Sequence, residues 1–285
     1  MASARDIKRR IKSVKNTQQI TKAMKMVSAA KLRKAQQAVM AVRPFTRKIE
    51  DIISHLGGAN ISHPLLTPRE EVKRVGYLVI GSDRGLCGGF NTNLHRFLEQ
   101  TLAKEEREYA LIVLGRRVRD YCQRRNKHID YYYTEIADNP SYYQARDLAK
   151  LLTDEYLAHN YDEVYIVYSE FRSVISQTPK IKKLLPLTYE RDGEGSMFRE
   201  TEYIFEPSPE IILQTIIPQY IDIDVYWALQ EAKASEHGAR MTAMNSATDN
   251  ATEIIGKLTL SLNRARQAAI TTEITEIVSG AEALS

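Results

Sequence analysis

Residues 1–56 hold one helical pattern without a turn. Alternate steps of three and four pass through Ala4, Ile7, Ile11, Val14, Gln18, Thr21, Lys25, Ser28, Leu32, Ala35, Val39, Val42, Thr46, Ile49, Ile53 and Leu56. This is a heptad seam, apolar at both ends and polar in its middle. Around the polar stretch, Ile20, Met24 and Val27 move the apolar stripe onto a neighbouring face. A helix of ~55 residues would span ~80 Å at 1.5 Å per residue. Pro44 should bend it rather than end it, because the pattern resumes at Ile49, and "LGG" at 56–58 supplies the stop.

The other end of the chain behaves in the same way. "SPE" at 208–210 reads as a serine N-cap, a proline at the first helical position and a carboxylate in the first turn. After Pro218 no strong breaker follows; Gly238, Gly256 and Gly280 are isolated, at about 1 kcal/mol each. The apolar stripe runs through Val225, Leu229, Ala232, Ala239, Ala243, Ala247, Ala251, Ile254, Leu258, Leu262, Ala265 and Ala269. Its alanines permit close approach of a second helix while offering little apolar area. Two such helices leaving one inserted domain must run antiparallel. The expected organisation is a shaft helix at 1–56, a linker at 57–73, an α/β domain at 74–208 and a second shaft helix at 209–285. The second helix then outruns the first by roughly 20 residues, or ~30 Å, so residues from about 267 onward should project alone.

Charge is divided unevenly between the ends. Residues 1–56 carry 14 Lys and Arg against 3 Asp and Glu, whereas residues 209–285 carry 5 against 10. A basic end suits nucleic acid or an acidic membrane, but a complementary acidic end also lets the two helices pair and leaves excess positive charge for an acidic protein partner. Two cysteines, Cys87 and Cys122, cannot build a disulfide framework and fit a reducing compartment. No apolar run approaches the roughly 20 residues needed to span a bilayer.

The insert reads as α/β. Strand-like runs at 74–81, 109–115, 127–133 and 162–171 are separated by helical stretches near 91–107, 116–126 and 141–159. This alternation predicts a mostly parallel, Rossmann-like sheet. Extended stretches near 176–187 and 198–206 would extend or border it. After the first strand stands "GSDRGLCGGFN" (81–91), a glycine-rich turn before a helix, the setting in which phosphate is often held. Its glycines at 81, 85, 88 and 89 do not space as G-x-G-x-x-G, and no G-K-[ST] follows, so a structural turn is the better reading. The alternative function is a nucleotide-dependent enzyme using this Gly81–Gly89 loop; a basic coiled-coil nucleic-acid binder is a third. The six histidines form no H-x-x-x-H pair and neither cysteine sits in a C-x-x-C, so the sequence presents no metal or cofactor site and no catalytic constellation.

Three segments, "IKRRIKSVKNTQQITKAMKMVSAAKLRKAQ" (7–36), "VGYLVIGSDRGLCGGFN" (75–91) and "ARQAAITTEITEIVSGAEAL" (265–284), resemble the gamma-subunit family of bacterial F-type ATP synthases. The last fits that family's pattern at Ile270, Thr271, Glu273, Glu276, Gly280 and Ala281. The resemblance implies a rotor: a coiled coil standing inside a hexamer of alpha and beta subunits, with its base on the epsilon subunit and the c-ring. Proton-driven rotation would be coupled to ATP chemistry that belongs to beta. It implies beta-subunit coupling contacts at Met24, Arg240, Arg266, Gln267 and Thr271. A basic shaft face of Lys8, Arg9, Arg10, Lys25, Lys31 and Arg33 would meet acidic groups of beta. At the foot, c-ring contacts would fall at Tyr203, Phe205 and Glu206. No cofactor of its own and a peripheral place on the cytoplasmic face of the cell membrane follow from the same resemblance.

Overall fold

A computed structural model describes residues 4–56, 63–187 and 208–282 of the 285-residue chain. Two long helices bracket the fold: α1 (Ala4–Leu56) continues through Pro44, and the last helix (Pro209–Glu282) continues through Pro218. Between them lie β1 (Arg74–Ile80), α2 (Phe90–Leu102), β2 (Glu108–Leu114), α3 (Arg116–Arg124), β3 (Ile129–Tyr133), α4 (Tyr142–Leu157), β4 (Glu163–Ser173) and β5 (Ser176–Leu185), making the final helix α5. The expected extended stretch at 198–206 lies outside the described residues.

The chain divides into two compact units, Met1–Ser28 with Met241–Ser285, and Ala29–Arg240. In the first, α1 and α5 run antiparallel. Gln18 Nε2 donates to Thr252 Oγ1 at 2.7 Å, the Thr21 and Thr248 hydroxyls share a bond of 2.8 Å, and Lys25 Nζ donates to Asn245 Oδ1 at 2.5 Å. The polar middle of the heptad seam is therefore hydrogen-bonded across the pair, and Ile20, Met26 and Val27 are left exposed beside it. On the α5 side the seam departs from expectation at Ile254, which is 46% exposed, while Ile255 is partly buried in its place. This register places Ala4 opposite Arg266. From Gln267 to Ser279 every residue is exposed, beyond the described part of α1.

The second unit holds a five-stranded sheet in the order β3-β2-β1-β4-β5, parallel except for the β4–β5 hairpin. The continuous apolar runs of β1 and β2 are buried on both faces, as a covered parallel sheet requires. Alternate residues sort the core. Tyr77, Val79, Leu111 and Val113 pack under α2 and α3, whereas Leu78, Ile80, Ile112, Leu114 and Ile166 face α4 and α5. Each such fully buried aliphatic side chain contributes about 1.5–3 kcal/mol.

That second face corrects one expectation. Val225, Leu229 and Ala232, anticipated on the helix–helix seam, instead join Leu213, Ile217 and Ile221 in the core over the sheet. The contact with α1 is made through Ile223 against Ile49 and Ala234 against Leu32 and Ala35. In this stretch α5 is a layer of the α/β domain as well as a partner of α1, so Ala228–Arg240 is buried on every side. Gly238 is needed there, because a Cβ would come within 3.0 Å of the Phe171 ring.

Candidate functional site

In an open α/β sheet the ligand crevice lies outside the carboxyl ends of the strands, where the strand order reverses direction. Here that point falls between β1 and β4, beside the 81–89 loop. It is occupied by α5. Arg240 Nη2 donates to the carbonyl oxygen of Gly85 at 3.3 Å, and Cys87 and Phe90 pack on Ala239. The loop itself folds tightly. Asp83 accepts the backbone N–H groups of Arg116 at 2.9 Å and Ile136 at 3.2 Å. At Gly81 a Cβ would reach 2.2 Å from Val118 of α3, so the glycine serves strand–helix packing.

The α5 side chains also finish the sheet. β1 pairs with β4 only as far as Val167, and the free edge beyond it needs partners. Ser235 Oγ donates to Ser169 O at 2.8 Å, and Glu231 Oε2 accepts from Phe171 N–H at 2.8 Å. Burial pushes the Glu231 carboxyl up, opposed by that N–H. Gln230 Nε2 reaches the Pro140 carbonyl at 2.9 Å.

Between these anchors lies a buried charged cluster. Glu236 takes Lys233 Nζ at 3.1 Å and Arg240 Nη2 at 2.7 Å, and the three side chains are 4%, 4% and 9% exposed. From the segment before α4, Asp138 binds Lys31 Nζ of α1 at 2.5 Å. Burial works against the Asp138 charge, but the Lys31 bond prevails and holds its carboxyl below the usual range.

The residues that the resemblance singles out are placed as follows. Arg240 is at the heart of the dock just described. Lys31 is engaged with Asp138, and Lys25 with Asn245 within the seam. Lys8, Arg9, Arg10 and Arg33 are exposed, and Met24 is half-buried. Arg266, Gln267 and Thr271 lie on the exposed end of α5, where the Thr271 hydroxyl donates back to the Gln267 carbonyl at 3.0 Å. Tyr203, Phe205 and Glu206 fall outside the described residues. Sequence reasoning missed Glu236, His237, Lys233 and Asp138; the charged and polar residues Gln230, Glu231, Lys233, Ser235, Glu236, His237 and Arg240 on one helical stretch were the available signal.

A second histidine, half-buried, sits apart from the dock. His95 of α2 stacks on Tyr121 at 4.0 Å between centroids, and desolvation, with the Arg124 charge, lowers it to about 4. Its folded-state value is depressed, so the folded chain keeps it neutral while the unfolded chain takes up a proton below about 6.5. Stability should therefore fall as pH drops from 6.5 towards 4, by about 2 kcal/mol from this group. Urea denaturation of wild type and His95→Gln at pH 7 and pH 4.5 checks it: the variant should lose distinctly less on acidification.

The fold and its dock define a class: a paired-helix protein with an inserted α/β domain whose ligand crevice is closed by its own C-terminal helix. The chain matches the family model described as ATP synthase over residues 3–284. The ATP synthase gamma chain of Desulfitobacterium hafniense is 53% identical over 286 residues, covering 100% of both chains. That of Moorella thermoacetica is 52% identical, again over 100% of both. Among solved structures, a chain of the Euglena gracilis mitochondrial ATP synthase, OSCP/F1/c-ring, aligns with a TM-score of 0.68 at 20% identity, covering 99% of this chain and 94% of that one. This last likeness shows the fold. The chain belongs to the ATP synthase gamma-chain family.

Proposed function

We propose that the chain is the central rotor shaft of a proton-translocating F-type ATP synthase, coupling c-ring rotation to ATP synthesis and hydrolysis in the alpha/beta hexamer. The observation that carries this is the end of α5, a helix running on past its described partner with Ile270, Ile274, Ile277 and Val278 exposed at 44%, 56%, 71% and 52%. Exposed apolar groups in such a row mark a surface that another molecule covers. An eccentric helix turning among subunits in different nucleotide states shifts their affinities through differential contacts with each state. ATP chemistry then belongs to the beta subunits, and this chain transmits force without an active site.

In this reading Met24, Arg240, Arg266, Gln267 and Thr271 serve contact and coupling to beta. Lys8, Arg9, Arg10 and Arg33 give a positive face towards acidic groups of the hexamer, and Lys25 and Lys31 hold the chain's own structure. Tyr203, Phe205 and Glu206 would meet the c-ring, with the epsilon subunit beside them. No helix among the described residues is long and apolar enough to cross a membrane, and attachment to the cytoplasmic face would run through the partners. Filling of the crevice by α5 argues against nucleotide binding by the Gly81–Gly89 loop.

Native mass spectrometry of the chain recovered from its source membranes in mild detergent tests the proposal. One copy bound to three alpha and three beta subunits is expected. A free monomer that retains nucleotide would overturn it.

A further inference from the structure

His237 lies inside the dock and is 1% exposed. Its Nδ1 stands 3.4 Å from Arg240 Nη1; a guanidinium has only donors, so Nδ1 must accept. Its Nε2 stands 3.4 Å from the Asp138 carbonyl oxygen, which only accepts, so Nε2 carries the proton. One neutral tautomer satisfies both neighbours. A second proton can go only to Nδ1, where it would point at the Arg240 guanidinium.

The two carboxylates whose charge reaches the ring, Glu236 and Asp138, are already engaged with other cations. On α5, Glu236 is already shared between Lys233 and Arg240. From the segment before α4, the Asp138 carboxylate is held by Lys31 of α1. From the glycine loop, the Cys87 thiol faces Arg240 and Glu236, and burial pushes it up, which keeps it neutral. Arg240 is also the side chain that ties α5 to the Gly85 carbonyl.

We propose that His237 is a proton-operated latch: protonation at Nδ1 breaks its bond with Arg240, draws the guanidinium off the Gly85 carbonyl and frees the 81–89 loop from α5. The latch is a property of this chain alone; only its consequence for rotary coupling rests on the rotor reading. Burial holds the imidazole below its ordinary value, so the latch is closed at neutral pH and opens on acidification. A loop that comes loose in acid would weaken the grip of the inserted domain on the helix while both remain folded.

Hydrogen exchange of the full-length chain tests this. In wild type, peptides covering 81–93 should exchange about tenfold faster at pH 5 than at pH 7, after correction for the chemical effect of pH. His237→Gln keeps a donor for Asp138 and an acceptor for Arg240 but cannot titrate, so the change there should stay within about twofold. Equal acceleration in both, or none in wild type, would overturn the latch. If the variant does not fold, nitrogen-15 NMR of the wild-type imidazole decides. A neutral Nε2–H tautomer at pH 7, with loop amides moving at the His237 midpoint, supports the proposal. An Nδ1–H tautomer, a charged ring at pH 7, or loop amides that move at another midpoint refute it.

Discussion

Ending the chain at Arg266 should leave its folding intact and lower proton-driven ATP synthesis by about fivefold or more, the lower end of typical coupling energies. The two effects separate because of where the removed residues stand. From Gln267 to Ser279 all are exposed, and the register set by Gln18–Thr252, Thr21–Thr248 and Lys25–Asn245 brings the described start of α1 level with Arg266. Hydroxyls in this stretch satisfy the helix itself: Thr271 donates to Gln267, Thr272 to Ala268 and Thr275 to Thr271. Among the described residues the truncation removes only exposed ones, so the thermal midpoint should stay nearly fixed. In the proposed rotor, the four exposed apolar residues and Gln267, all removed here, act on a partner. Synthesis by membrane vesicles carrying the truncated chain, set beside circular dichroism melting, checks both halves. Full synthesis with the shortened helix would remove the coupling role from this end.

The long helices and their direction were legible because periodicity is local. A seam residue such as Leu32 or Ile49 is apolar at a fixed step from the last, and both are buried. The exposure of residues 267–279 also agrees with that reading, since antiparallel pairing from two exits leaves only arithmetic. The alternation of strands and helices in the insert was legible for the same reason. What escaped was the second use of α5. Val225 and Leu229 are equally apolar whether they face another helix or a sheet, so the pattern carries no mark of which neighbour they meet. The buried cluster escaped because its partners are remote in sequence: Asp138 lies 107 residues from Lys31, and Gly85 lies 155 from Arg240. On paper "EAKASEHGAR" looks like an ordinary solvated helix face. Only the tertiary surroundings make those charges buried, and no one-dimensional rule carries that information.

Glu236→Gln is expected to destabilise the second unit by about 3–5 kcal/mol, because it removes a carboxylate shared by two buried cations. Lys233 and Arg240 flank Glu236 at three and four residues, and all three side chains are under a tenth exposed. With a neutral amide between them, two buried positive charges two turns apart would be left without a counter-ion. The penalty is that of uncompensated buried charge rather than of one lost bond. This distinction has its own test. Replacing the set together, Lys233→Met with Glu236→Leu and Arg240→Met, removes the charges along with their desolvation cost, and should leave the chain close to wild type in stability. It would nevertheless release the 81–89 loop, whose Gly85 carbonyl loses its donor. Glu253→Gln, at an exposed pair with Lys257, should leave the urea midpoint unmoved. If the single glutamine variant unfolds no earlier than that surface control, the cluster is not held by its charges. If the triple variant is the weaker of the two, the charged dock stabilises the fold outright. The expected order, single variant least stable and triple near wild type with a loosened loop, would mean that the charges serve to place the inserted domain on α5, and that the apolar core over the sheet holds it there.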